Sequence, residues 1–169
     1  GGFLVHLYSV DPFDQVEVSY AGEKVSSIVI RLGRAFPADA VAKQLDLSAI
    51  RPVLVSNELG EIIGIAYPER GVLFAFEQTE EPGKPTMKVL QIILESVTAE
   101  AFVLRAETTM ENRYDLSRRD LEQALKLEPD NARARWLLGR VLAATENHEK
   151  AMVETGKAVR LDPDNPQYR

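Results

Sequence analysis

Cysteine is absent from this chain of 169 residues, and disulfides, thiolate nucleophiles and cysteine-held zinc are excluded with it. Histidine is nearly absent: His6 and His148 stand alone, and neither has a partner at metal-ligand spacing. No Lys/Arg-rich run occurs and the net charge is −6, so the basic footprint of a nucleic-acid binder is missing. No apolar run reaches the length of a membrane span, and no signal-peptide pattern opens the sequence. Phosphate-cradling glycine loops and a Gly-x-Ser-x-Gly elbow are missing too; "ELGEIIG" (58–64) has the wrong spacing for a dinucleotide fingerprint. The acidic stretch "EQTEEPGK" (77–84) lacks the alternating ligands of a calcium loop and reads as a solvated hairpin turn. Ser26 and Ser27 sit in a strand-like run without a candidate base nearby. A carboxylate hydrolase has no residue to name, and no catalytic residue, metal ligand or cofactor site is expected.

What remains is a composition of ordinary globular character, with 45% hydrophobic and 27% charged residues. The charge is uneven. Up to Ser96 there are 8 Lys+Arg against 13 Asp+Glu, and beyond it 12 against 13. The start "GGFLVHLY" enters a strand-like pattern at once and reads as the cut edge of a longer chain. A periplasmic or other extracytoplasmic location follows if a signal peptide precedes it, and a cytoplasmic one otherwise.

Before Ser96 the sequence writes one pattern twice. "KVSSIVIRL" (24–32) parallels "KVLQIILES" (88–96), and "QVEVSY" (15–20) parallels "GVLFAF" (71–76). Earlier still, "FLVHLYS" parallels "EIIGIAYPERG". A helix-like stretch follows each Lys-Val strand, "PADAVAKQL" and then "TAEAFVLRA". Val16, Val18 and Tyr20 alternate with Glu17 and Ser19, as Val72, Phe74 and Phe76 do with Leu73 and Ala75. Such alternation predicts antiparallel strands with one buried face. Turns are expected at Ala21-Gly22-Glu23 and across 81–85. The expectation is a domain over 1–96 of up to six antiparallel strands in duplicated βββα units, with a helix at about 37–45 on one face.

After Ser96 a different repeat begins. Leu-acid-Pro-Asp-Asn occurs at 127–131 and at 161–165, 34 residues apart, a period typical of stacked helical repeats. Within 132–165, Gly139, Ala151 and Ala158 supply small residues where two helices must approach, and Pro163 ends the second helix. The preceding unit, 98–131, carries Leu104, Tyr114, Ser117, Leu121, Ala124 and Pro129 in corresponding places. Helical periodicity agrees: Leu121, Ala124 and Leu125 form one apolar stripe, and Leu137, Leu138, Val141 and Leu142 another.

These positions resemble the tetratricopeptide repeat. Three departures stand out: Arg105 replaces the glycine seen at Gly139, Thr155 takes a usually aromatic place, and Trp136 falls one place late. The resemblance implies an all-α region over 97–169 of helical hairpins, with units at about 98–131 and 132–165 and "PDNPQYR" opening a third. The fold expected overall is α+β, the antiparallel sheet first and the helical hairpins after it. No Gly/Ser-rich linker separates the parts, so a rigid junction through the helix after Ser96 is expected. More weakly, 36–95 resembles the SmpA/OmlA-type lipoproteins and β-lactamase-inhibitor-protein-like domains, which implies protein contact through a sheet face.

The tetratricopeptide resemblance also implies a working surface, because the first helix of each pair lines a concave groove. Phe102, Ala106 and Met110 from the first unit and Arg133, Trp136 and Arg140 from the second are expected there. Arg133, Trp136 and Arg140 share one helical face. An aromatic flanked by two arginines suits an acidic peptide or a C-terminal carboxylate. The plainer reading is that Trp136 packs against a neighbouring element while both arginines are solvated. The function expected is therefore a non-enzymatic protein-interaction or scaffold module of a longer protein, with a protein or peptide partner. The alternative is a small-molecule or lipid-binding domain that uses the sheet, with the repeats as an assembly handle. A deep apolar pocket between sheet and helix would mark the alternative.

Overall fold

The alternation of Val72, Phe74 and Phe76 against Leu73 and Ala75 decides which side of the N-terminal sheet is covered: the first three are buried and the other two half-buried. A computed structural model of the chain describes residues 3–78 and 84–168. Its Cα positions divide into two compact units, Gly1–Val97 and Thr98–Arg169.

Among the described residues, the first unit holds seven strands, one more than the sequence suggested. They are β1 Phe3–Tyr8, β2 Gln15–Ala21, β3 Lys24–Pro37, β4 Val53–Ser56, β5 Ile62–Tyr67, β6 Val72–Phe76 and β7 Lys88–Glu95. All pair antiparallel in the order β1-β2-β3-β7-β6-β5-β4. The duplication explains this order. The sequence shift that lays Lys24 on Lys88 also lays Val29 on Ile93, and Val29 pairs with Ile93 across the sheet centre. Two equivalent strands thus meet around a local two-fold, and the remaining strands fan outward in matching order. The registers match as well: Val18 opposes Ile28 in one copy, as Phe74 opposes Ile92 in the other. Gly22 and Glu23 join β2 to β3, with Gly22 at φ 65°, a conformation glycine adopts without steric cost. The turn expected across 81–85 lies largely outside the described residues.

Helix α1 (Ala38–Gln44) follows β3 directly. It buries Ala38 and Ala42 in a core with Leu47, Phe74, Phe76, Val89 and Ile92. Phe74 and Val89 are wholly enclosed. The burial is lopsided. Strand β2 is half-buried from Gln15 to Tyr20 without the expected alternation, because the core of α1 lies over β5, β6 and β7 and only part of β3.

The second unit contains helices α2 (Ala99–Glu107), α3 (Tyr114–Leu127), α4 (Ala132–Ala144) and α5 (His148–Leu161). Caps fix two of the starts. Thr98 accepts from the Ala101 N–H at 3.4 Å, and Asn131 from the Ala134 N–H at 2.9 Å, which satisfies donors that the first helical turn leaves unpaired. The sequence-predicted stripes face inward: Leu121 and Ala124 on α3 are buried with Leu125 partly so, and Leu137, Leu138, Val141 and Leu142 on α4 are buried. They join Phe102, Val103 and Ala106 of α2 and Ala151 of α5 in one core. Leu104 breaks the analogy with Leu138, for it is exposed while Val103 beside it is enclosed.

Candidate peptide-binding face

Helix α4 carries the face on which the sequence placed Arg133, Trp136 and Arg140. Asn131 starts the helix, and Gly139 sits where a Cβ would run into the Thr155 hydroxyl and press on the Ala151 carbonyl at 3.2 Å. Glycine therefore lets α4 and α5 approach, and an open groove of about 660 Å³ lies along their outer side. Its surface includes Trp136, Arg140, Ala143, Met152, Val159 and Tyr168.

The predicted residues divide into three groups. Phe102 and Ala106 are buried in the core of the unit and present no surface to a partner. The helical phase of α2 explains this, since both share a face with Ala99 and Val103 that packs inward. Met110 is partly buried and packs on the same core.

Arg133 is on the surface but already engaged. Its Nη1 donates to Glu100 at 2.8 Å, and its Nη2 donates to Glu107 at 2.8 Å. Partial burial opposes its charge, but the Glu107 hydrogen bond and both carboxylates outweigh that, so its pKa is raised. Arg133 thereby clasps α4 to α2.

Trp136 and Arg140 form the third group. The Arg140 guanidinium lies over the indole at 5.0 Å, a cation–π stack. Tyr168 also packs against the indole, at 5.6 Å between centroids. Tyr168 belongs to a 3-10 turn, Pro166–Tyr168, that follows Asn165. Burial, then the nearby Asp162, raises its hydroxyl pKa. Asn165 accepts from the Gln167 N–H at 3.1 Å, much as Asn131 caps α4. Tyr168 was missed in the sequence, although the repeated Asp-Asn before it was a usable signal. Among the described residues Arg140 forms no ion pair, and no three His, Asp or Glu side chains stand together to hold a metal ion.

Antiparallel helices packed as two hairpins, each closed by Leu-acid-Pro-Asp-Asn, define a helical-repeat unit of the kind that binds other proteins. Residues 111–166 match the tetratricopeptide repeat family model, a repeat that suggests a protein-interaction or scaffold module in the C-terminal part. A search of curated proteins finds no match to the chain. No helix of the described residues is long and apolar enough to cross a membrane.

Proposed function

We propose that the helical unit binds an acidic segment of another protein along the face formed by α4 and α5. Arg140 is the carboxylate contact and Trp136 its apolar base. The observation that carries this reading is the state of Arg140: exposed, placed over the indole and joined to no carboxylate among the described residues. A guanidinium over a ring face still has donors to offer, in the fork that matches a carboxylate. Arg133 holds the platform instead of reading the partner. In the first unit, the resemblance of 36–95 to SmpA/OmlA-type and β-lactamase-inhibitor-protein-like domains supports a further protein contact through the sheet.

The single tryptophan of the chain is a built-in reporter. Titration with a Glu/Asp-rich peptide should shift Trp136 emission, and the Gln/Asn counterpart of that peptide should not. Arg140→Ala should weaken the affinity by about tenfold or more, since a hydrogen bond to a charged group contributes roughly 1.5–3 kcal/mol. Arg140→Lys should recover part of the loss. Equal affinity of the Arg140→Ala protein for the acidic peptide would overturn the assignment.

A further inference from the structure

Tyr168 reaches Trp136 along the path of the repeat. After Leu127–Asn131 the chain turns back as α4, whose Ala134 is buried in one core with residues of α2 and α3. After Leu161–Asn165 it turns back again, as the 3-10 turn Pro166–Tyr168, and Tyr168 stands 34 residues beyond Ala134. Here the repeat replaces a methyl group with a phenol, and the phenol lies against the indole at 5.6 Å between centroids.

Tyr168 is only 7% exposed, and this limits what it can do. A side chain so covered offers a partner almost no surface of its own. What it covers is the indole, so it withdraws apolar area from the base that Trp136 provides beside Arg140. The turn that carries it is lightly tied. The Tyr168 N–H donates to the Asn165 carbonyl at 3.3 Å, and the Asn165 N–H to that of Asp162 at 3.4 Å, both longer than an ordinary N–H···O bond. The Asn165 side chain accepts from the Gln167 N–H at 3.1 Å and donates to the Asp162 carboxylate at 3.2 Å. Each of these partners lies within 162–168, so lifting the ring off Trp136 breaks none of the four bonds. Segments held by local contacts open at low cost.

We infer that Tyr168 is an autoinhibitory strap on the α4–α5 face: it fills the apolar seat on Trp136 and gives way when a partner places its own apolar side chain there, next to the acid read by Arg140. The inference rests on the proposed role of Arg140 and adds a requirement on the partner. A purely acidic segment leaves the strap closed and gains only the Arg140 contact. A segment with an aromatic or large aliphatic residue beside its acid displaces Tyr168 and gains the indole as well. Closed molecules do not offer that seat, so the apparent affinity for such a segment falls with the fraction of open ones.

Two peptides titrated into the full chain test this, one Glu/Asp-rich throughout and one with a phenylalanine set beside its acids. Tyr168→Ala should bind the phenylalanine peptide roughly three- to tenfold more tightly than the wild type does, and the purely acidic peptide equally. Tyr168→Phe keeps the ring and should match the wild type. Asn165→Ala removes the side-chain tie to the Gln167 N–H and should shift the affinity in the same direction as Tyr168→Ala, with the circular dichroism spectrum unchanged in each variant. Without peptide, acrylamide should quench Trp136 more strongly in Tyr168→Ala than in the wild type. In the wild type saturated with the phenylalanine peptide, the nuclear Overhauser effect between the Tyr168 ring and the indole should vanish. Equal or weaker binding of that peptide by Tyr168→Ala, equal quenching, or an Overhauser effect that persists at saturation would overturn the strap and leave the Arg140 reading standing. Binding of neither peptide by the wild type or any variant would overturn both.

Discussion

Arg105 stands where the second repeat has Gly139, and a buried arginine needs an explanation at the scale of single residues. Its Nη2 donates to Asp120 at 2.7 Å and its Nε at 3.1 Å, with the residues only 3% and 4% exposed. The acid is matched in the next repeat by Glu154, one period later. Glu154 accepts from Arg135, and there too a carboxylate on the second helix holds a guanidinium from the first. Partial burial opposes the charge on Glu154, but Lys157 and Arg135 outweigh it and hold its carboxyl below the usual value. A buried pair that loses one member leaves an uncompensated charge behind. Asp120→Ala should therefore destabilise the helical unit by about 3–5 kcal/mol. The joint replacement Arg105→Met, Asp120→Leu should cost less than the single change, because no charge then faces an empty partner position within the pair. Chemical denaturation followed by circular dichroism would compare the two, and equal losses would show that the pair acts by packing alone.

At this scale the sequence was informative about faces and uninformative about partners. Spacing alone put Arg133, Trp136 and Arg140 together on α4. It could not reveal that Glu100 and Glu107, far earlier in the chain, occupy Arg133. Phe102 misled for a related reason. An aromatic on the first helix of a repeat can turn inward or outward, and only the neighbouring Ala99, Val103 and Ala106 decide the phase.

Among elements, the long periodic ones were legible and the short ones were not. The stripes on α3 and α4 span several turns, so their period is distinct. Strand β4 has four residues, Val53–Ser56, between Pro52 and the turn at Asn57, too few for alternation to show. Its detection depends on pairing with β5, which is a tertiary fact. The connection from β5 to β6 illustrates a constraint that sequence half-reveals. Gly71 has φ 59°, and a Cβ there would run into the Glu95 carbonyl oxygen of β7. Gly22 has φ 65° but open space around it. A left-handed backbone alone costs a non-glycine residue about 1–3 kcal/mol. Gly71→Ala should exceed that range because backbone atoms must also move, while Gly22→Ala should stay within it. Thermal melts of the two variants would rank them, and equal shifts would discount the clash at Glu95.

For the whole molecule, the duplicated Lys-Val strands revealed that the first part is built twice. They did not reveal the strand order, since either copy could have formed its own sheet. The answer came from β3 and β7, whose edges pair with each other around Val29 and Ile93. The helical part raises the opposite question, because two repeats alone are usually too few to bury a stable core. Here the buried set in α2 through α5 is continuous, from Ala99 to Ala151, and among the described residues its members come from 98–168. The sheet unit likewise draws its core from within 13–94. A unit that owns its core can fold when made alone. Residues 98–169 expressed separately should show a helical spectrum and a cooperative melt, and residues 1–97 a β spectrum with its own transition. If 98–169 proves unfolded by itself, the continuous core from α2 to α5 is insufficient. The two-repeat count would then decide stability over the burial seen in the structure.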